Sequence, residues 1–87
     1  MTSELPPARI LDVRGFLCPI PALEAQKAVA ELAAGEVLQV EGDDPVMVID
    51  IPAWCDEKGH AFLGCERDEE GVVRCRVEKG ADPHPPG

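Results

Sequence analysis

The most distinctive chemical feature of the sequence is a cysteine followed by two prolines. In the stretch CPIP, Cys18 stands directly before Pro19, Pro21 comes two residues later, and a helix-forming run follows. Proline is tolerated in the first turn of a helix because the N–H that it lacks would have no intrahelical partner there. Cys18 is therefore expected at the N-cap, where the positive end of the helix dipole favours thiolate over thiol. This pattern predicts an exposed nucleophilic sulfur at a stiffened helix tip.

A purely structural role for Cys18 is the competing interpretation, since a residue followed by proline often precedes a helix in proteins without special chemistry. An N-cap is, however, normally Ser, Thr, Asp or Asn, whose oxygen bonds the free N–H groups better than sulfur does. Because a cysteine in that position gives up some stability, we favour a functional thiol.

The other three cysteines are Cys55, Cys65 and Cys75, and none of them forms a CxxC pair. We expect Cys55 to be a buried packing thiol, with a role as resolving partner for Cys18 as the alternative. A metal site made of Cys55, His60 and Cys65 would match no common ligand spacing, so we predict no bound metal.

The remaining polar candidates are one histidine and three aspartates. His60 follows a predicted helix and is interpreted as a solvated or capping residue rather than a general base. Asp43, Asp44 and Asp50 are interpreted as caps and turn formers, with partner recognition by Asp50 as the alternative.

Composition limits the classes of function. The chain has 87 residues, is 45% hydrophobic and carries a net charge of −9, which fits one small domain. The acidic balance argues against direct binding to nucleic acid or to an anionic membrane, and favours partners with a basic surface. No secretion signal and no run near the ~18 apolar residues of a membrane span is visible. We therefore expect a cytoplasmic protein with reduced thiols.

Hydrophobic periodicity and turn residues predict the order β-α-β-α-β-β. The domain is expected over 8–80, with a flexible arm at 1–7 and a disordered tail at 81–87. The predicted elements are a strand over 8–14, a helix over 19–35, a strand over 36–42, a short turn and a helix from about 51 to 58, and a hairpin over 60–80. Two helices on one face of a four-stranded mixed sheet give a two-layer α/β sandwich.

Pro52 divides the second helical segment. Inside a continuous helix it would remove a backbone hydrogen bond and clash with the preceding turn. Asp44 and Asp50, each shortly before a proline, look like two separate N-caps. We therefore expect a short turn and then a helix over 51–58, ended by Gly59.

The register of the hairpin follows from a three-residue loop at Glu69–Gly71. Counting back along both strands pairs Cys65 with Cys75 and Leu63 with Val77, on an apolar face that should lie under the helices. Directly opposed Cβ atoms are ~4.5–5.5 Å apart, whereas a disulfide prefers ~3.8 Å. We therefore expect two reduced, buried thiols.

The sequence resembles the TusA-type (SirA-like) sulfur-carrier family over nearly all of residues 10–80. The CPxP motif of that family falls at Cys18–Pro21. The other residues that carry the resemblance are LDVRGFL before the motif, DDP at 43–45, DIPAWC at 50–55, His60, and KG at 79–80.

The resemblance implies the β-α-β-α-β-β sandwich and a persulfide carried on Cys18 without a cofactor. A donor such as a cysteine desulfurase or a rhodanese would load the sulfur, and an acceptor protein would take it. The carrier would act stoichiometrically and be a monomer when free. In this family, the transferred sulfur serves tRNA thiolation, molybdenum-cofactor supply or sulfur oxidation.

The sequence departs from the family pattern at Ile20, where some members have Glu. Cys65 and Cys75 have no counterpart in the family pattern and are expected to take no part in transfer.

Two alternatives of other classes stay open at this point. One is a non-catalytic regulatory or interaction module in which Cys18 is only a cap. The other is a thiol redox sensor of the same fold.

Overall fold

The computed structural model of the chain describes residues 7–17 and 20–80. Cys18, Pro19, most of the predicted arm and the predicted tail at 81–87 lie outside the described residues, so what the sequence predicts for them stays a prediction. The elements are β1 (Arg9–Asp12), α1 (Ile20–Val29), β2 (Val37–Gly42), α2 (Met47–Lys58), β3 (Ala61–Arg67) and β4 (Val73–Glu78).

The sheet is mixed and four-stranded, as predicted, with the strand order β1-β2-β4-β3. β1 lies parallel to β2, and β4 is antiparallel to both of its neighbours. Side chains of β2 and β4 alternate between buried and half-buried positions. One face of the sheet therefore packs under both helices, and the fold is the predicted two-layer sandwich.

The core between the two layers is mainly aliphatic. Leu38, Val40 and Ile51 have no exposed surface. Gly42 ends β2 where the side chain of Met47 comes so close that a Cβ at this position would collide with its sulfur. A side chain here would force Met47 to move, so glycine allows the close packing of the second helix in its present form.

α1 is shorter than predicted and ends at Val29 instead of continuing to residue 35. The chain then tightens, with the Leu32 N–H donating to the Val29 carbonyl three residues back at 3.0 Å. The ammonium of Lys79 donates to the Leu32 carbonyl at 2.6 Å. A side chain from the residue that follows β4 therefore takes the place of the next helical turn as the partner of this carbonyl.

The prediction of a broken second helix is wrong. α2 is continuous from Met47 to Lys58 with Pro52 inside it. Proline in this position removes only the bond that its N–H would donate to Val48, and Val48 lies on the exposed side of the helix, where water can bond to its carbonyl. Asp50 therefore lies within the first turn and is not a cap, whereas Gly59 ends the helix as predicted, with φ of 81°.

The hairpin has the predicted register between Cys65 and Cys75, but the prediction for Leu63 is wrong. A bulge between Phe62 and Gly64 places Phe62 opposite Val77, and Leu63 is 50% exposed. Gly64 has φ of 133°, a conformation that L side chains rarely adopt. The register count assumed a regular ladder, and the glycine allows the extra residue.

A disulfide joins Cys65 to Cys75, so the prediction of two reduced thiols is also wrong. Their Cα atoms are 4.1 Å apart, closer than the ~4.5–5.5 Å usual for opposed residues of antiparallel strands. The prediction rested on the usual Cβ separation of directly opposed residues. The closer approach of these two Cα atoms brings the two sulfur atoms within bonding reach. Cys75 is fully buried, whereas Cys65 lies half-buried on the edge strand.

His60 joins the end of α2 to the end of β4. Its Nδ1 accepts a hydrogen bond from the Gly80 N–H at 3.0 Å, and its ring centroid lies 5.2 Å from that of Trp54. Burial, with a smaller contribution from the Lys79 charge, lowers the pKa of His60. His60 is therefore a half-buried packing residue that accepts a backbone bond, rather than a solvated one.

Replacing both hairpin cysteines, as Cys65→Val with Cys75→Val, should lower the free energy of unfolding by roughly 2–3 kcal/mol, because the unfolded chain loses a cross-link that closes a short loop. Urea unfolding with and without dithiothreitol measures this loss. The reductant should destabilise the original protein by a similar amount and leave the double variant unchanged. Equal sensitivity of both proteins to the reductant would contradict a disulfide here.

The His60→Asn variant should make stability less dependent on pH. The pKa of His60 is lower in the folded than in the unfolded chain, so the unfolded chain takes up the proton first as the pH falls. The stability due to neutral His60 is present above its ordinary pKa of 6.5 and is lost as the pH falls below it. Asparagine offers a hydrogen-bond acceptor that does not titrate. Urea unfolding should be measured from about pH 8 to about pH 5, the range in which histidine titrates. The free energy of unfolding should change less with pH in the variant than in the original protein.

Candidate functional site

The fold brings two loops to the same edge of the sheet. β1 and β2 are parallel neighbours, so the segments that follow them leave from the same side. The first segment leads from Val13 towards α1 and contains the position of Cys18 in the chain. The second contains Asp43 and Asp44. The candidate site is therefore assembled where both loops leave the sheet.

An aspartate of the second loop holds the first loop in place. Asp43 Oδ1 accepts a hydrogen bond from the Gly15 N–H at 3.1 Å. The Phe16 N–H donates to the Val13 carbonyl at 3.1 Å, and the Ile20 N–H donates to the Leu17 carbonyl at 2.9 Å. These bonds fix the backbone just before the CPxP motif and at Ile20 within it. The sequence indicated Asp43 as a turn former but gave no signal that it reaches across to the other loop.

The end of β1 is fixed by a local ion pair. Asp12 accepts hydrogen bonds from the backbone N–H of Arg14 at 3.0 Å and from its guanidinium at 3.0 and 3.1 Å. Through these bonds, Arg14 lowers the pKa of Asp12. Both side chains are more than half exposed, so the pair orients the loop and contributes little to stability.

Asp44 caps the turn that leads into α2, as the sequence predicted. Its Oδ1 accepts from the Val46 N–H at 3.0 Å, and its carbonyl accepts from the Met47 N–H at 3.0 Å. Asp44 is only 6% exposed. A buried carboxylate with backbone partners fixes where the second helix begins, and so fixes its position beside α1.

The residues that flank the CPxP cysteine are apolar and exposed. Leu17 is 70% exposed, and Phe16 and Ile20 also rank among the exposed large hydrophobic residues. The first turn of α1 contains no acidic residue. Exposed apolar side chains beside a helix N-terminus with no acidic residue in its first turn suit contact with another protein better than enclosure of a small molecule.

The described cysteines differ sharply from an exposed thiol. Cys55 is free and 1% exposed, and burial raises its pKa to about 11. It is the buried packing thiol that the sequence predicted. Cys65 and Cys75 are held in their disulfide.

The part of the chain that the structure describes contains neither a metal-binding cluster of side chains nor a membrane-spanning helix. Over residues 7–17 and 20–80, no three His, Cys, Asp or Glu side chains are grouped so that they could hold a metal ion. The described helices are also too short or too polar to cross a membrane.

Comparison with known proteins agrees with this architecture. A family model described as "Sulfurtransferase TusA" matches residues 9–79. The putative sulfur carrier protein YrkF of Bacillus subtilis (strain 168) is 36% identical over 73 residues, which are 84% of this chain and 39% of that protein. The putative sulfur carrier protein YrkI of the same strain is 33% identical over 72 residues, 83% of this chain and 95% of that protein.

A third relative and a solved structure resemble nearly the whole chain. The sulfur carrier protein TusA of Pseudomonas entomophila (strain L48) is 43% identical over 72 residues, 83% of this chain and 89% of that protein. The crystal structure of a SirA-like protein from Desulfitobacterium hafniense superposes with a TM-score of 0.74 at 29% identity, covering 83% of this chain and 97% of the other. The parallel strand pair, the two helices and the CPxP position thus lie within a matched family domain, and the chain belongs to the TusA family.

Proposed function

We propose that the protein is a sulfur carrier that holds sulfur as a persulfide on Cys18. The position of Cys18 in the chain carries this proposal: it lies inside the matched family domain and two residues before Ile20, where α1 begins with no acidic residue in its first turn. A thiolate at this point of the chain would gain electrostatic stabilisation, and its exposed apolar neighbours would let another protein approach.

Loading and unloading are two sulfur-exchange steps of the same kind. The Cys18 thiolate attacks the terminal sulfur of a persulfide on the donor protein, and the donor cysteine leaves as its own thiolate. The acceptor thiolate then attacks the terminal sulfur on Cys18, which leaves as a thiolate again. Neither step needs a bound cofactor or an outside oxidant or reductant. The protein is regenerated after each delivery and acts stoichiometrically with its partners.

The environments of the other cysteines support a mechanism with one reactive cysteine. Cys55 is buried with a raised pKa, so it is a poor nucleophile at neutral pH. Cys65 and Cys75 have no free thiol while their disulfide is intact. A redox sensor that pairs Cys18 with Cys55 would need the buried thiol to become exposed, which makes this alternative less favourable.

The partners of the relay are a sulfur donor and a sulfur acceptor. A cysteine desulfurase or a rhodanese is the donor we propose, and the acceptor would serve tRNA thiolation, molybdenum-cofactor supply or sulfur oxidation. The cytoplasm is the proposed location. The net charge of −9 favours basic protein surfaces over nucleic acid as direct partners.

Persulfide loading tests the proposal directly. The protein is incubated with a cysteine desulfurase and cysteine, and the intact mass is measured under non-reducing conditions. The original protein and a Cys55→Ser control should each gain the mass of one sulfur atom, whereas Cys18→Ser should gain none. A Cys18→Ser variant that still loads one sulfur would overturn the assignment of the site.

Brief alkylation separates the cysteines by reactivity. Iodoacetamide at neutral pH followed by peptide mapping should label Cys18 first. Burial raises the pKa of Cys55 from the ordinary 9.0 to about 11, which lowers its thiolate fraction about a hundredfold, one factor of ten per pH unit. The disulfide should leave Cys65 and Cys75 unlabelled until the protein is reduced. Faster labelling of Cys55 than of Cys18 would contradict this order.

A further inference from the structure

We propose that the groove between α1 and α2 docks an amphipathic helix, rich in lysine or arginine, of the protein that exchanges sulfur with Cys18. This assignment of the partner surface rests on the proposed function. The groove itself is a feature of the described residues, and a probe that carries no sulfur can test it.

The groove is shallow, encloses about 440 Å³, and is lined by side chains from both helices. Leu23 and Gln26 come from α1, and Asp50, Ala53 and Trp54 come from α2. Each helix crosses from the end of one strand to the start of a strand parallel to it, so α1 and α2 point in the same direction. The groove therefore runs between two helices that begin at the same edge of the sheet, the edge from which the segment after β1 also leaves.

Exposed apolar side chains continue the groove on both helices. Leu23 is 49% exposed and Ile49 is 67% exposed, and Ile20 and Val46 are exposed as well. Ile20 and Leu23 are three positions apart on α1, and Val46, Ile49 and Ala53 follow one another at spacings of three and four residues on α2. Such spacings place side chains on one face of each helix. A continuous apolar strip beside a groove is the surface that an amphipathic helix recognises.

Charge decides which kind of occupant fits. α2 carries three acidic residues, Asp50, Asp56 and Glu57, against the single basic Lys58, a net charge of −2. The whole chain carries −9. A second copy of this chain would bring the same negative charge to the contact and be repelled. A helix with lysine or arginine beside its apolar residues complements both the strip and its rim.

The chain contains a built-in reporter and a matched control. Trp54 lines the groove and is the only tryptophan in the sequence, so its fluorescence reports on the occupied groove. Leu63 is 50% exposed and Leu23 is 49% exposed, but Leu63 lies on the edge strand β3 and lines a different cavity, together with Gln39 and Arg76. Comparing the same Leu→Asp change at the two positions therefore shows whether a loss of binding depends on where the leucine lies or only on the new aspartate.

The test is a fluorescence titration of the full chain with a short amphipathic leucine/lysine peptide, and with a leucine/glutamate peptide of the same pattern. The leucine/lysine peptide should give a saturable change in Trp54 emission whose affinity falls as salt rises. Leu23→Asp should weaken binding about tenfold or more, as expected for an apolar anchor, and Leu63→Asp should leave it unchanged. Equal losses in the two variants, or equal binding of the two peptides, would overturn the docking surface.

A second variant protects the test from a folding defect in Leu23→Asp. Glu57→Lys changes only charge on the exposed side of α2 and should weaken the leucine/lysine peptide while strengthening the leucine/glutamate peptide. If neither peptide responds to this reversal, charge does not select the occupant and the proposal fails.

Loading of Cys18 from inorganic polysulfide separates this inference from the proposed function, because a small donor needs no docking groove. Leu23→Asp should load from polysulfide as the original protein does, and should load about tenfold more slowly from a cysteine desulfurase that loads the original. Failure of the original protein to load from polysulfide would count against the Cys18 carrier. Equal rates of loading from the desulfurase would count against the groove alone.

Discussion

The parallel pairing of β1 with β2 is the constraint on which the rest of the structure depends. Parallel neighbours cannot be joined by a tight turn, so the chain must cross over the sheet, and α1 makes that crossing. The next crossing, through α2, joins β2 to β3, which is again parallel to β2 because both are antiparallel to β4. Both helices therefore begin at the same sheet edge and cover the same face. The site and the groove follow from this topology.

Short polar bonds convert this topology into a defined loop geometry. Asp43 reaches across to the Gly15 N–H, and Asp44 caps the turn before α2 from a buried position. The two helix starts then differ in charge, since α2 has Asp50 in its first turn and α1 has no acidic residue there. A negative charge on sulfur is thus better accommodated at the start of α1. The topology places the N-termini of α1 and α2 in similar positions, and the acidic residue in the first turn of α2 is what makes the two differ in charge.

Much of the fold could be predicted from local rules, and each failure has a local physical cause. The element order and the Cys65–Cys75 pairing follow from periodicity and from the loop that ends with Gly71. The position of Leu63 could not be obtained by counting residues along the two strands. Gly64 allows a bulge there, and no pattern in the strand sequence indicates it. Pro52 does not divide α2, since one missing bond on the exposed side of the helix costs less than breaking a helix that packs on the core.

The candidate site was predicted from a motif, whereas its supporting contacts required the structure. The spacing of CPxP before a helix makes Cys18 the candidate residue, but no sequence rule shows that Asp43 would hold the loop before it. The disulfide depends on a Cα separation of 4.1 Å, a distance set by how this pair of strands packs. Sequence patterns specify which residues share a face, and packing specifies how closely they approach.

Three of the four cysteines lie in environments that disfavour a reactive thiolate. Cys55 faces the core, where an uncompensated negative charge is costly, so burial suppresses its thiolate. Cys65 and Cys75 lie opposite each other and form a disulfide, so neither has a free thiol. Leu17 directly precedes Cys18 in the chain, Ile20 begins α1, and both are exposed. A carrier must offer its sulfur to two different proteins in turn, and exposed apolar residues beside a helix whose first turn has no acidic residue suit such contacts better than an enclosed pocket.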